Sequence, residues 1–243
     1  MIAGSMMWRK SWWECRFRVI LSALVVASLI AGGASFIADP ATGGKDPQAT
    51  LNFFAQMIAG MVVPLITLLM AGSGVNSQTS WGMLHGFHAS MYFLLSMPVS
   101  RRRALLIRAA VGAAFTFLFI VIMMAAVAQL SAWQGVAMSG GRVIGGIVFL
   151  SLGAFTWFGL STLLSTLFDE FWGGIIGLTF MGFMFGLGLS QDSKKFSLLS
   201  YLGGLHFNRT GDIVWPALLT VLALGAAFMA ASVYVVERKE YGQ

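Results

Sequence analysis

Residues 94–108 carry the sequence LLSMPVSRRRALLIR, in which three consecutive arginines follow a proline and stand between apolar segments. An arginine at the centre of a bilayer costs about 2.5 to 3.5 kcal/mol on insertion scales, so Arg101, Arg102 and Arg103 are expected at a membrane surface. Basic residues near the ends of membrane helices are retained on the cytoplasmic face. This stretch therefore predicts the orientation of the apolar segments on both sides of it.

Composition is typical of an integral membrane protein. Of the 243 residues, 58% are hydrophobic and 10% are charged, and the mean hydropathy is +0.82. This length accommodates about six spans of roughly 20 residues each and leaves no room for a soluble catalytic domain of about 100 residues. The net charge is +6. The basic residues that produce it are expected at helix ends and not on a continuous soluble face, which argues against nucleic acid as a partner. The single cysteine, Cys15, excludes an internal disulfide or a CxxC site.

The predicted fold is an all-α polytopic membrane protein, with residues 1–243 forming a single transmembrane domain. Spans are predicted at about 19–38, 52–71, 104–130, 143–168, 171–189 and 213–236, and a cytoplasmic segment at 72–103. Pro64 is expected to kink the second span unless neighbouring groups satisfy the freed carbonyl.

An N-terminal elbow helix lying in the membrane interface is predicted at 6–18. Trp8 and Trp12 fall on one side of this helix and are predicted to anchor it, while Lys10 and Glu14 fall on the other. A simple basic flank of the first span is the alternative. This basic, tryptophan-rich start is not expected to be a cleaved signal peptide.

The distribution of basic residues predicts the topology. The proposed cytoplasmic side holds Arg9, Lys10, Arg16, Arg18, Arg101, Arg102, Arg103, Arg108, Arg238 and Lys239. The proposed outer side holds Lys45, Arg142, Lys194, Lys195 and Arg209. The excess on the first side predicts that both termini are cytoplasmic, and an even number of spans requires that the termini share a side.

A short helix across the cytoplasmic surface is predicted between the second and third spans. The apolar residues Phe87, Met91, Leu94 and Leu95 recur there at helical spacing. His88 and Tyr92 lie off that line, and Gly86 and Pro98 bound the segment.

Catalytic and metal-binding patterns are weak. No GxxxxGK[ST] motif occurs, so ATP is not expected to bind this chain through a P-loop. His85 and His88 have no third ligand beside them, and no metal site is predicted. An intramembrane hydrolase that uses Ser73, Ser161 or Ser190 with His206 stays open as an alternative, although nothing places a serine and a histidine on facing spans.

Small and hydroxyl residues in the later spans have a structural interpretation. Glycine pairs spaced by four predict close packing of spans four and five. The pairs are Gly141 with Gly145, Gly173 with Gly177, and Gly182 with Gly186. The hydroxyls of Ser161, Thr162, Ser165 and Thr166 could line a polar path, but bonding to backbone carbonyls is the favoured interpretation.

No buried ionisable residue is expected in the spans, and every acidic residue is expected at or beyond a helix end, whereas ion-driven carriers place ionisable groups at mid-membrane. Energy for any transport is therefore expected to come from a partner.

Three features together give the chain a family resemblance. They are the basic, aromatic segment 8–18, the sequence LSMPVSRRR at 95–103 directly before the third span, and ERKEY at 237–241 after the last. With this layout the chain resembles the permease subunit of a type-2 ATP-binding-cassette (ABC) transporter. Members of that family commonly carry an acidic residue after the second span, and residues 73–81 contain none.

The resemblance implies an exporter subunit of the bacterial cytoplasmic membrane that works as a homodimer or heterodimer with separate cytosolic ATPases. ATP and Mg would be bound by those ATPases, and this chain would hold no cofactor. Residues 87–96 would form the coupling helix that docks on the ATPase. The few polar residues in the spans favour an amphipathic or lipid-like cargo. A membrane assembly subunit without transport activity and a lipid-modifying enzyme are the other hypotheses.

Overall fold

The computed structural model of the chain describes residues 2–38, 54, 57–71, 100–135, 138–168, 170–189 and 215–238. Every regular element in these ranges is a helix. In chain order they are α1 (Ile2–Ala38), a π-helical turn (Ile58–Val62) that runs directly into α2 (Val63–Ala71), α3 (Arg101–Trp133), α4 (Gly140–Leu167), α5 (Glu170–Leu189) and α6 (Trp215–Arg238).

Four of these helices contain segments long and apolar enough to cross a membrane. The segments are Cys15–Ser35, Arg102–Trp133, Gly140–Leu167 and Leu218–Arg238. Ile58–Ala71 and Trp172–Met184 are apolar but shorter. The chain is therefore a helical membrane protein with several spans, whereas six spans and cytoplasmic termini stay predictions.

The structure corrects the predicted division of the N-terminal region. The expected elbow at 6–18 and the expected first span at 19–38 belong to one continuous helix of 37 residues, about 55 Å long at 1.5 Å per residue. Sharp kinks in helices arise at proline, at glycine and serine pairs, or at π-bulges. Residues 6–31 contain neither proline nor glycine, and a change from polar to apolar side chains does not interrupt backbone hydrogen bonds.

Pro64 is accommodated by a local change of helix type. The amide of Val63 donates to the carbonyl of Ile58, which closes a π-helical turn immediately before the proline. Proline has no amide hydrogen, and its ring crowds the preceding turn of an α-helix, so a wider turn at this point relieves both problems. The hydroxyl of Thr67 then donates to the carbonyl of Pro64 at 2.7 Å.

The apolar core is formed mainly by α2, α3 and α4, with part of α1 against it. Its most deeply buried side chains include Ile66 and Met70 of α2 and Ile120 and Met123 of α3. Phe158 of α4 belongs to the same cluster. The two ends of α2 are therefore held among three neighbouring helices.

A close helix crossing joins α4 to α6. A methyl group on Gly159 would lie 2.8 Å from the carbonyl oxygen of Gly225, and one on Gly225 would lie 3.2 Å from the Cα of Thr156. The hydroxyl of Thr156 also donates to the carbonyl of Val221 at 2.8 Å. Backbone therefore meets backbone at this crossing, and a hydrogen bond joins the two helices.

The glycine pairs predicted from the sequence contribute less than expected. Gly141, Gly182 and Gly186 have no atom of another described residue within 4 Å of an added methyl group. Gly173 does approach α4, at 3.4 Å from the carbonyl oxygen of Leu164, but Gly177 faces Leu68 of α2. Of these five glycines only Gly173 brings α4 and α5 together, because a spacing of four defines a helix face and not its neighbour.

Candidate functional site

The coupling residues predicted from the sequence lie outside the described residues. They are Phe87, His88, Met91, Tyr92, Leu94, Leu95 and Pro98. The structure does describe the residues that flank segment 72–99, which are Ala71 in α2 and Ser100 before α3. The end of the helix bundle where these two residues lie is called the arginine end below.

Ser100 begins α3 as its N-cap. Its backbone is extended, with φ −64° and ψ 139°, and its side chain accepts a hydrogen bond from the amide of Arg103 at 3.4 Å. A serine at this position satisfies one of the amides that have no partner inside the helix. This cap was not predicted, although a serine directly before a helical pattern is its usual signal.

The three arginines do not stabilise the helix that they begin. Positive charge near a helix N-terminus opposes the helix dipole, at a cost of about 0.3 to 1 kcal/mol for an exposed group. Arg102 and Arg103 are exposed, and the side chain of Arg101 lies outside the described set. Their position is therefore better explained by contact with water and lipid headgroups than by helix stability.

Arg18 of α1 reaches the end of α2. Its guanidinium donates to the carbonyl of Leu69 at 3.3 Å. The last carbonyls of a helix have no partner within it and form the negative end of the helix dipole, so a cation binds favourably there. This contact ties the end of α2, from which residues 72–99 continue, to α1.

Arg108 is buried two turns into α3, with 4% of its surface exposed. Arg108 was predicted among the basic residues of the cytoplasmic side, and no buried ionisable residue was expected. The second expectation is wrong, because the structure places Arg108 inside the bundle. One turn further on, a methyl group on Gly112 would lie 2.9 Å from the carbonyl oxygen of Met70 and 3.0 Å from the ring of Phe158. α3 therefore approaches the end of α2 closely at Gly112.

These contacts bring five groups to one depth of the bundle, which we call the arginine layer. It comprises the Arg18 guanidinium, the carbonyls of Leu69 and Met70, Gly112 and the ring of Phe158. Four helices meet in this layer. A displacement of the chain at Ala71 would reach α1, α3 and α4 directly.

Hydroxyl groups on α4 mostly bond to their own helix. Thr162 donates to the carbonyl of Phe158 at 2.7 Å, Ser165 to that of Thr162 at 2.8 Å, and Thr166 to that of Leu163 at 2.8 Å. The favoured interpretation of these three residues is confirmed. Ser161 differs, because it lines a narrow crevice between α2, α4 and α5.

A larger cavity lies between α3 and α4, with a volume of about 160 Å³. Its lining residues are Ala113, Thr116, Phe117, Ile120, Ser151, Ala154, Phe155 and Phe158. The hydroxyls of Thr116 and Ser151 donate to carbonyls of their own helices, at 3.0 Å and 2.6 Å. The cavity is therefore apolar in character.

Among the described residues, the crevice at Ser161 contains no histidine or carboxylate that could act as a catalytic base, as the hydrolase hypothesis requires. Ser73, Ser190 and His206 lie outside the described residues. Within the described ranges, no group of three histidine, cysteine or acidic residues could hold a metal ion.

Comparison with protein-family models, with curated proteins and with solved structures finds no match. The resemblance to ABC permeases therefore depends on the sequence features quoted above, and the arginine layer depends on this chain's own contacts. Both enter the proposal that follows.

Proposed function

We propose that this chain is the membrane-spanning permease subunit of an ATP-driven exporter of the ABC type. In this proposal two permease subunits form the translocation path, and separate cytosolic ATPases bind ATP and Mg and supply the energy. The observation that carries the proposal is the attachment of residues 72–99, which join the buried end of α2 to the arginine-rich start of α3.

The contacts at the first of these attachment points, the end of α2, are suited to transmit movement. Ala71 is buried, Arg18 donates to Leu69, and Gly112 lies against Met70. Packed interiors resist compression, so a push on a buried helix end moves its neighbours and is not absorbed locally. A docked ATPase that shifts the segment would in this way move α1, α3 and α4 between two arrangements.

The orientation follows from the same residues. Arg102 and Arg103 are exposed, and Arg16 and Arg18 lie on α1 at the same end as the contact with Leu69. The positive-inside rule assigns an arginine-rich end to the cytoplasm. The ATPase would then approach the bundle from this side.

Charged substitutions in the predicted coupling helix test the proposal. The double variant Phe87→Glu/Met91→Glu should lose co-purification with the partner ATPase, which is sought as a neighbouring reading frame that encodes GxxxxGK[ST], because an apolar groove does not accept unpaired carboxylates. Membrane insertion, measured by extraction and by protease accessibility, should be unchanged. A matched control, Thr79→Glu/Ser80→Glu, adds the same charge to the same segment outside the predicted helix and should keep the ATPase bound.

Two outcomes would contradict this assignment. If the Phe87→Glu/Met91→Glu variant still co-purifies with the ATPase, docking does not use this helix. If the wild-type chain neither binds an ATPase nor supports ATP-dependent export in vesicles, the assembly-subunit hypothesis replaces the permease.

A further inference from the structure

The cavity between α3 and α4 opens on the outside of the helix bundle. Phe117 of α3 and Phe155 of α4 line it, and 52% and 38% of their surfaces are exposed. Ala113 also lines it and is exposed. Phe158, which is buried in the apolar core, belongs to the same lining. The cavity is therefore an open groove that reaches from the surface of the bundle to its core, and we call it the α3–α4 groove.

The groove lies near the middle of both helices that form it. Its lining residues on α3 lie between 113 and 120, and those on α4 lie between 151 and 158. Comparable lengths of helix separate these stretches from the two ends of Arg101–Trp133 and of Gly140–Leu167. Both helices are long and apolar enough to cross a membrane. The groove therefore opens towards the central part of the hydrocarbon layer, which is about 15 Å from either interface of a bilayer core about 30 Å thick.

The lining of the groove offers no donor to a polar ligand. Its two hydroxyl groups already donate within their own helices, Thr116 to the carbonyl of Gly112 at 3.0 Å and Ser151 to the carbonyl of Ile147 at 2.6 Å. Each hydroxyl has only one hydrogen to donate, and no charged side chain is among the described residues that line the groove. A polar ligand would leave its own groups unpaired there, whereas a purely apolar one would not.

The size of the groove favours a hydrocarbon chain over another helix. Its volume is about 160 Å³. An apolar cavity of about 150 Å³ in another protein takes up benzene, a molecule of six carbon atoms. A helix with its side chains is about 10 to 12 Å across, so it cannot enter a groove of this size. A single hydrocarbon chain can enter it, and lipid chains are the medium at this depth.

We propose that the α3–α4 groove is a binding subsite for the methyl end of a phospholipid acyl chain. The chains of both leaflets end near the centre of the bilayer, so this part of the lipid reaches the groove and its ester and headgroup do not. A chain in the groove makes dispersion contacts with Phe117, Phe155 and Phe158 that an empty groove would lack. The bound chain is therefore retained longer than the lipid around it. This inference goes beyond the exporter proposal and requires no ATPase.

Photocrosslinking of the full chain in phosphatidylcholine nanodiscs tests the subsite. One probe is a phosphatidylcholine with a diazirine near the methyl end of one acyl chain, and a second carries the diazirine near the ester. Peptide mass spectrometry then maps the adducts. With the first probe, Phe117 and Phe155 should each carry about threefold more adduct than Leu118, because several small dispersion contacts together retain the chain. Leu118 is the reference, since it is 49% exposed on the same helix and does not line the groove. The second probe should give no such excess.

Filling the groove should remove the excess. Ala113→Phe adds a six-carbon ring at an exposed lining position and should lower the excess at Phe155 to less than about twofold, because the ring takes the place of the chain. Ala114→Phe is the matched control, since Ala114 is the next residue, is exposed and does not line the groove. This control should keep the wild-type excess. Ser151→Leu fills the groove from α4 and provides a second variant if Ala113→Phe fails to fold.

Three results would overturn the proposal. The first is a wild-type chain in which Phe117 and Phe155 carry no more adduct than Leu118 with the methyl-end probe. A side chain of a second subunit in the groove would produce this result. The second is an equal excess with the probe that carries its diazirine near the ester. The third is an excess that survives in folded Ala113→Phe or Ser151→Leu.

Discussion

The crossing of α4 and α6 and the face of α5 use the same residue type in opposite ways. At the crossing, Gly159 and Gly225 let two backbones touch, and the hydroxyl of Thr156 bonds to the facing helix. On α5, Gly182 and Gly186 meet no other described residue, and Gly177 meets only the end of a leucine side chain. A larger residue in place of a glycine is costly when the atom opposite it belongs to the backbone, because the backbone of a packed helix cannot move aside as a side chain can.

Gly159→Ala should produce the largest effect, since its methyl group would meet the Gly225 carbonyl at 2.8 Å. Overpacking of this kind costs about 1 to 3 kcal/mol. Unfolding in mixed micelles of mild detergent and dodecyl sulfate would measure the change in free energy. Gly182→Ala is the matched control and should stay within about 0.5 kcal/mol of wild type. Equal losses in both variants would remove the distinction between the two regions.

Thr156→Val should have a smaller effect, because it keeps the side-chain shape and removes the hydrogen bond to Val221. Hydrogen bonds between membrane helices contribute about 0.6 kcal/mol on average and up to about 1.7 kcal/mol. Thr162→Val provides the comparison, since the Thr162 hydroxyl donates only to Phe158 on its own helix. The same unfolding measurement should rank Thr156→Val below Thr162→Val in stability, and the reverse order would argue against an interhelical role for Thr156.

Gly177→Ala should have the smallest effect among the packed glycines, below about 1 kcal/mol, because Leu68 can change rotamer to admit the methyl group. A double-mutant cycle with Leu68→Ala isolates the contact, and a coupling energy of about 0.5 kcal/mol or more is expected for touching residues. Additive free energies of unfolding for the two variants would place α5 away from Leu68 in the membrane-embedded protein.

Sequence patterns predicted the helices better than their contacts. The predicted third, fourth and sixth spans coincide with α3, α4 and α6 to within a few residues, because apolar runs of this length have few alternatives to a membrane helix. The elbow was wrong as a separate helix because side-chain polarity was taken as a break in the backbone. Among the site residues, the exposure of Arg102 and Arg103 could be predicted from their charge. The burial of Arg108 could not, because it carries the same charge and lies only five residues further along α3.

The sequence by itself determined that the chain is a helical membrane protein and that most of its arginines lie at the borders of the apolar segments. These properties are sums over neighbouring residues, since each apolar or charged side chain adds its own transfer free energy to its own helix. Only the tertiary structure decided that Gly159 meets Gly225, that Arg18 caps α2 and that Trp157 and Ser161 line one crevice with residues of α2 and α5. Such contacts depend on which distant helix lies opposite a residue, and without a hydrophobic drive between helices in lipid this is settled by shape and by hydrogen bonds.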